Sequence, residues 1–128
     1  MSGLKIRLKR RMSNREAIIR LLSETITQPT AHQIGLKQIL LANDETSSAI
    51  TQISVATLRK GEQVENHIHK TMDEHYLFLS GRGFFFLDGK KIECKEGLFL
   101  LVPAGTPHYM WAETELKCII IGVAFNYV

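Results

Sequence analysis

The chain has 128 residues, 45% of them hydrophobic and 23% charged, with a formal net charge of +3, which suits one soluble domain built round one core. No apolar run approaches the ~20 residues that span a bilayer; the longest, CIIIGVAF at 118–125, is strand length. The two cysteines, Cys94 and Cys118, have no CxxC or zinc-ribbon spacing, and in a reducing compartment they read as packed thiols.

The charge is unevenly placed. Lys5, Arg7, Lys9, Arg10, Arg11 and Arg15 all precede the first acidic residue, Glu16. From Glu16 onward ten basic residues face thirteen acidic ones, so the body is acidic and the basic character belongs to an arm. Charges interrupt the apolar residues of MSGLKIRLKRR, which therefore lacks the continuous core of a secretory signal; the expected location is cytoplasmic. Leu4, Ile6 and Leu8 alternate with Lys5, Arg7 and Lys9, a period-2 pattern that fits a strand-like arm added to a sheet edge, its own or a partner's. A solvated strand edge is the preferred reading over a nucleic-acid contact.

Ser13 and Glu16 have capping-box spacing, and Ile18, Ile19, Leu22 and Ile26 follow as a stripe at helical spacing. This predicts a helix over 13–26, packed against the rest and ended by Pro29. Beyond it the character changes. Residues 35–42, 50–59, 76–80, 82–87, 91–94, 98–102, 108–112 and 116–125 read as strands, with Asn43–Ser48, Gly81 and Asp88-Gly89 as turns. About eight short strands at this spacing indicate a sandwich, barrel or jelly roll. The expected organisation is an arm and helix over 1–30, packed on a barrel over 31–128. GFFFL (83–87), LFLLV (98–102) and CIII (118–121) are apolar on both faces, so they need cover; the helix and a homodimer interface are the expected sources.

Three candidate metal ligands fall within eight residues: His67, His69 and Glu74. On a strand, His67 and His69 would share one face. Glu74, across a turn, opens the next strand and can point back. A rigid turn at Pro103, Gly105 and Pro107 delivers His108. Three imidazoles and a carboxylate suit one divalent metal per chain, Fe, Mn, Ni, Co or Zn, and leave a coordination position open. By alternation Tyr76, Phe78 and Ser80 would face inward with Glu74, as Met110 and Ala112 would with His108. Tyr76 is the candidate catalytic residue, placed to orient substrate by a hydrogen bond, with an aromatic wall as its plainer role. His75 should face away, Asp73 reads as a solvated loop carboxylate, and His32 as incidental. Arg59 and Arg82 are cations that alternation does not place on the inner face.

The ligands arrive with their glycines. Gly61, His67-x-His69, Glu74 and Gly81 fit the first motif of the cupin superfamily, and Gly97, Pro103-x-Gly105 and His108 fit the second, fifteen residues later. The chain thus resembles compact single-domain microbial cupins over about 35–125. One departure is Ala112, where the second motif often ends in Asn. The resemblance implies an all-β jelly-roll barrel with His67, His69, Glu74 and His108 on the metal. It implies a metal-dependent enzyme acting on a small polar metabolite, by isomerase, epimerase or dioxygenase-type chemistry. The alternative is a non-catalytic sensor or accessory subunit. Residues 1–34 are too few for a helix-turn-helix unit, which argues against a self-contained DNA-binding regulator.

Overall fold

The computed structural model describes residues 16–125. Ten strands run in chain order: β1 Thr27–Pro29, β2 Leu36–Ala42, β3 Ile50–Leu58, β4 Gln63–His67, β5 Met72–Ser80, β6 Gly83–Leu87, β7 Lys90–Cys94, β8 Phe99–Val102, β9 His108–Ala112 and β10 Leu116–Ala124. They form two antiparallel sheets. One has six strands in the order β1-β2-β3-β10-β5-β8, the other four in the order β4-β9-β6-β7. No ladder joins the sheets among the described residues, so the expected closed barrel is corrected to an open two-layer sandwich.

The predicted helix over 13–26 is not formed within the described residues. Residues 16–21 are irregular, Leu22–Glu24 make a single 3-10 turn, and the chain then enters β1, which pairs with β2 through Thr27↔Gln38. Ile18, Ile19, Thr25 and Ile26 are β-branched, which weakens a helix, and Thr25 Oγ1 donates to the Leu21 carbonyl at 2.9 Å. The proposed stripe does not pack: Ile19 is 90% and Ile26 80% exposed. Instead Gln38 holds this segment down, donating to the carbonyls of Leu22 at 2.8 Å and Thr25 at 3.1 Å. The capping Ser13, and the strand-like arm over 1–11, lie outside the described residues.

Between the sheets lies an apolar core. Phe78, Phe85, Leu116, Cys94 and Cys118 are fully enclosed, each large side chain contributing about 1.5–3 kcal/mol by leaving water. Phe85 packs edge-on against Tyr76 at 5.0 Å and Phe78 at 6.4 Å, the favoured aromatic geometry. Gly81 closes the β5–β6 turn at φ +91°, and a Cβ there would sit 1.9 Å from the Glu115 carbonyl oxygen, so backbone passes where no side chain fits.

The strands apolar on both faces are covered on one sheet and not on the other. On the outer side of the four-stranded sheet, Phe84 stacks on Trp111 at 5.5 Å and Phe86 on Tyr109 at 4.1 Å, with Lys91 over the Phe84 ring. That face largely covers itself. On the six-stranded sheet, register pairs Ile119 with Leu77 and Leu77 with Phe99, and Leu77, Phe99 and Leu101 remain exposed.

Candidate metal centre

His67, His69, Glu74 and His108 converge, their ligand atoms all within 4.8 Å of one another. Both sheets contribute. His67 ends β4 and stands directly opposite His108, the first residue of β9, in the four-stranded sheet. Glu74 comes from β5 in the six-stranded sheet. The site is therefore a clasp between the layers, at one end of the sandwich.

The strand argument for His67 and His69 needs correcting. β4 ends at His67, so His69 lies in the following loop and owes its position to other contacts. A one-residue bulge separates the Val64↔Met110 pair from the His67↔His108 pair. Strict alternation would put Val64 and His67 on opposite faces; the bulge lets both line the cavity. The His69 carbonyl accepts from the Gly105 N–H at 2.8 Å, which ties the first motif's loop to the second motif's turn. Asp73 reinforces this tie. It is not a merely solvated carboxylate: its Oδ1 accepts from the Ala104 N–H at 2.7 Å.

Ring orientation is set from behind. His67 Nδ1 lies 2.7 Å from the Glu65 carbonyl and His108 Nδ1 lies 2.9 Å from the Thr106 carbonyl. An Nδ1–H donating to each carbonyl leaves the Nε2 lone pair facing the centre, the tautomer a metal ligand needs. His67 Nε2 and His69 Nε2 are 3.2 Å apart. Glu74 Oε1 lies 3.3 Å from His69 Nε2 and 3.5 Å from His108 Nε2, and it accepts the Tyr76 hydroxyl at 2.8 Å.

The electrostatics follow from this crowding. Burial alone would raise the Glu74 carboxyl, but His108, His69 and Tyr76 together hold it well below the usual carboxylate range. His67 is pushed down by burial and by the neighbouring imidazoles of His108, His32 and His69. His69 is pushed up by its hydrogen bond to Glu74. Burial and the adjacent Glu74 charge drive the Tyr76 hydroxyl well up, so it stays a neutral donor.

The residues fit a divalent cation. His108 Nε2, fully buried and aimed at the cluster, has no hydrogen-bond partner among the described residues. An orphaned buried nitrogen is costly, and a metal ion is a partner that removes the cost. The donor set is three imidazoles and one carboxylate, and a cavity of about 350 Å³ opens beside it.

Tyr76 and Met110 line that cavity, buried as alternation predicts, as are Phe78 and Ala112. Ser80 is exposed, because β5 ends beyond the core. His75 points away, its Nδ1 3.1 Å from the Ile121 carbonyl. Arg59 and Arg82 are exposed and do not line the cavity. Three wall residues escaped sequence reasoning. His32, set aside as incidental, lies with its ring 4.5 Å from that of His67. Lys37 and Gln52 reach the cavity from β2 and β3, with Lys37 Nζ donating to Gln52 Oε1 at 3.2 Å. None carries a motif signal; the pairing of β2 with β3 brings Lys37 and Gln52 there, and His32 comes from the connection between β1 and β2.

A two-sheet sandwich whose layers are clasped by three histidines and a glutamate defines a class of small β-proteins with a cluster that could hold a metal ion. The cupin domain profile matches residues 54–123, more than half of the chain, and the chain belongs to that family. It is 38% identical over 56 residues to an uncharacterized protein of Methanocaldococcus jannaschii, covering 44% of this chain and 45% of that one. It is 32% identical over 69 residues to quercetin 2,3-dioxygenase of Bacillus subtilis, covering 54% of this chain and 20% of the enzyme. The match thus spans less than half the length of either curated relative. Among solved structures, a predicted oxalate decarboxylase from Thermotoga maritima superposes with a TM-score of 0.77 at 21% identity, over 84% of this chain and 99% of that one. That likeness speaks for the fold.

Proposed function

We propose that this cupin is a divalent-metal-dependent enzyme acting on a small polar metabolite, by isomerase, epimerase or dioxygenase-type chemistry. The observation that carries the proposal is the orphaned His108 Nε2, aimed into a four-ligand cluster that opens on a cavity of about 350 Å³. A purely structural metal site would close its coordination sphere; this one adjoins space for a ligand. The local likeness to a quercetin dioxygenase supports oxygen chemistry as one of the reaction types.

His67, His69, Glu74 and His108 would hold one divalent ion per chain, Fe, Mn, Ni, Co or Zn, which supplies Lewis acidity and an open position for a substrate oxygen. The chain's own residues do the rest. The carbonyls of Glu65 and Thr106 keep two imidazoles in the ligating tautomer. Tyr76, its hydroxyl on Glu74, fixes the carboxylate and orients substrate from the cavity wall. Phe85, parallel to His108 at 5.8 Å, keeps water from the ring's buried side.

The protein is proposed to work as a homodimer. Leu77, Phe99 and Leu101 give the six-stranded sheet an exposed apolar patch, the kind of surface that a second copy covers. A cytoplasmic setting agrees with two buried cysteines that are not bridged. No helix among the described residues is long and apolar enough to cross a membrane.

Metal analysis tests the site, on protein purified without chelator or a metal-affinity column. About one equivalent per chain is expected, lost in His69→Ala; absence of metal from the wild type would sink the proposal. Turnover is then sought with Fe(II), Mn(II) and Zn(II) on sugar phosphates, keto acids and diols, with O₂ uptake followed. Tight ligand binding without turnover under every metal would replace the enzyme reading with that of a sensor.

A further inference from the structure

We propose that Lys37 and Gln52 form an anion subsite, which holds the carboxylate of a small organic acid whose far end reaches the metal cluster. The second half of this statement rests on the metal-enzyme reading above; the first half does not.

The cavity beside the metal centre carries two kinds of charge. Glu74 is spent on His69, His108 and Tyr76. Lys37 is, among the described residues, the one Lys or Arg in the wall, and it is half-buried. Among the described residues the ion pairs join Arg20 to Glu45 and the two histidines to Glu74; none involves Lys37. Its ammonium meets a neutral amide instead, donating to Gln52 Oε1. An ammonium on a cavity wall whose protein partner is a neutral amide favours an anion beside it, since a half-buried cation gains most from a charged acceptor.

The chemistry of the pair selects the anion. Lys37 keeps two N–H donors after serving Gln52, and the Gln52 amide, its oxygen occupied, presents its NH₂ group. One ammonium beside one amide donor offers a single positive charge and two directions of hydrogen bonding. That matches the two oxygens of a carboxylate. A phosphate dianion calls for more positive charge than one lysine supplies. Ser54, buried on the same strand as Gln52, also lines this wall. The cavity volume of about 350 Å³ limits the acid to a short chain.

The test is calorimetric titration of the natively purified protein, its metal content measured alongside. The probes are malonate, succinate and glutarate, their uncharged diamides, and phosphonoacetate. At least one diacid is expected to bind, more tightly than its diamide and than phosphonoacetate. Lys37→Met should weaken that binding about tenfold or more, with metal content and melting temperature kept, and Lys37→Arg should recover part of it. Gln52→Glu supplies an internal carboxylate and should abolish diacid binding in a folded protein.

No diacid binding at millimolar concentration overturns the subsite, as does equal binding by wild type and Lys37→Met. Phosphonoacetate binding more tightly than every diacid overturns the carboxylate assignment. The two readings fail separately. Full metal content with Lys37-independent binding removes the subsite and leaves the metal enzyme. Lys37-dependent binding in a protein that takes no metal does the reverse.

Discussion

The space between the two sheets is used in opposite ways at its two ends. At one end Phe78, Phe85, Leu116, Cys94 and Cys118 exclude water completely. At the other, imidazoles and a carboxylate are drawn together, with the buried His108 Nε2 lacking a hydrogen bond and meeting only Glu74 Oε1 at 3.5 Å. The apolar end gains stability from burial and asks nothing of chemistry. The polar end carries desolvated charge that is tolerable only because the apolar end holds the sheets at a fixed separation. Phe85 joins them, packing on Phe78 on one side and lying parallel to His108 on the other. Substitutions at the two ends should therefore affect different observables.

The largest effect on stability is expected from Phe78→Ala, at an enclosed position of the apolar end. Emptying a fully enclosed aromatic position costs about 3–5 kcal/mol, read from urea denaturation, while the folded fraction keeps its metal stoichiometry. Loss of metal in the still-folded protein would show that the two ends are not separable.

Glu74→Gln should do the reverse. The amide keeps the shape but removes the charge that holds the histidines together. Metal affinity is expected to fall by about 100-fold, measured by competition with a chelator. An unchanged metal affinity would contradict the division of labour.

Tyr76→Phe tests the boundary. The ring belongs to the core and the hydroxyl to the site, donating to Glu74 at 2.8 Å. Removing the hydroxyl should weaken metal binding about tenfold, less than Glu74→Gln does, because a supporting contact is lost rather than a ligand.

The two ends were also unequally legible in the sequence. Strand positions of the core follow from alternating burial, and seven strands were anticipated to within a residue of their observed limits, whereas β5 begins at Met72, four residues before the expected start, and β1 and β4 were not among the expected ranges. The four residues of the candidate site were legible as a cluster because motif glycines accompany them. What sequence reasoning lost has physical reasons. Alternation predicts His67 and His69 as strand neighbours, but a bulge and a strand end intervene, and a tie to Gly105 places His69. Periodicity over 13–26 suggests a helix, yet the β-branched residues favour extended chain, and β1 finds a partner in β2. Lys37, Gln52 and His32 carry no local signal, because a cavity wall is made by which strands pair, and pairing is a long-range property.

A last effect, small for each thiol, concerns the cysteines and probes the apolar end by pH. Burial pushes the Cys94 thiol up to about 12 from an ordinary value of 9.0. Cys118 is likewise pushed up to about 12, by burial first and then by the proximity of Cys94 and Glu74. The folded state thus prefers both thiols protonated, whereas the unfolded chain ionises them near 9. The sign follows: this contribution to stability is complete below pH 9 and is lost as pH rises toward 12. At pH 10, one unit into that window, each thiol should cost up to about 1.4 kcal/mol relative to neutral pH. Denaturation in urea at pH 8 and pH 10 measures the difference, and Cys118→Ala should flatten the slope even though its absolute stability is lower. Neither thiol should react with a thiol reagent in the native protein at pH 8, since the reactive thiolate is suppressed and both side chains are fully enclosed. Rapid labelling of either cysteine without unfolding would mean that the apolar end admits water, and that the contrast with the metal end is one of degree.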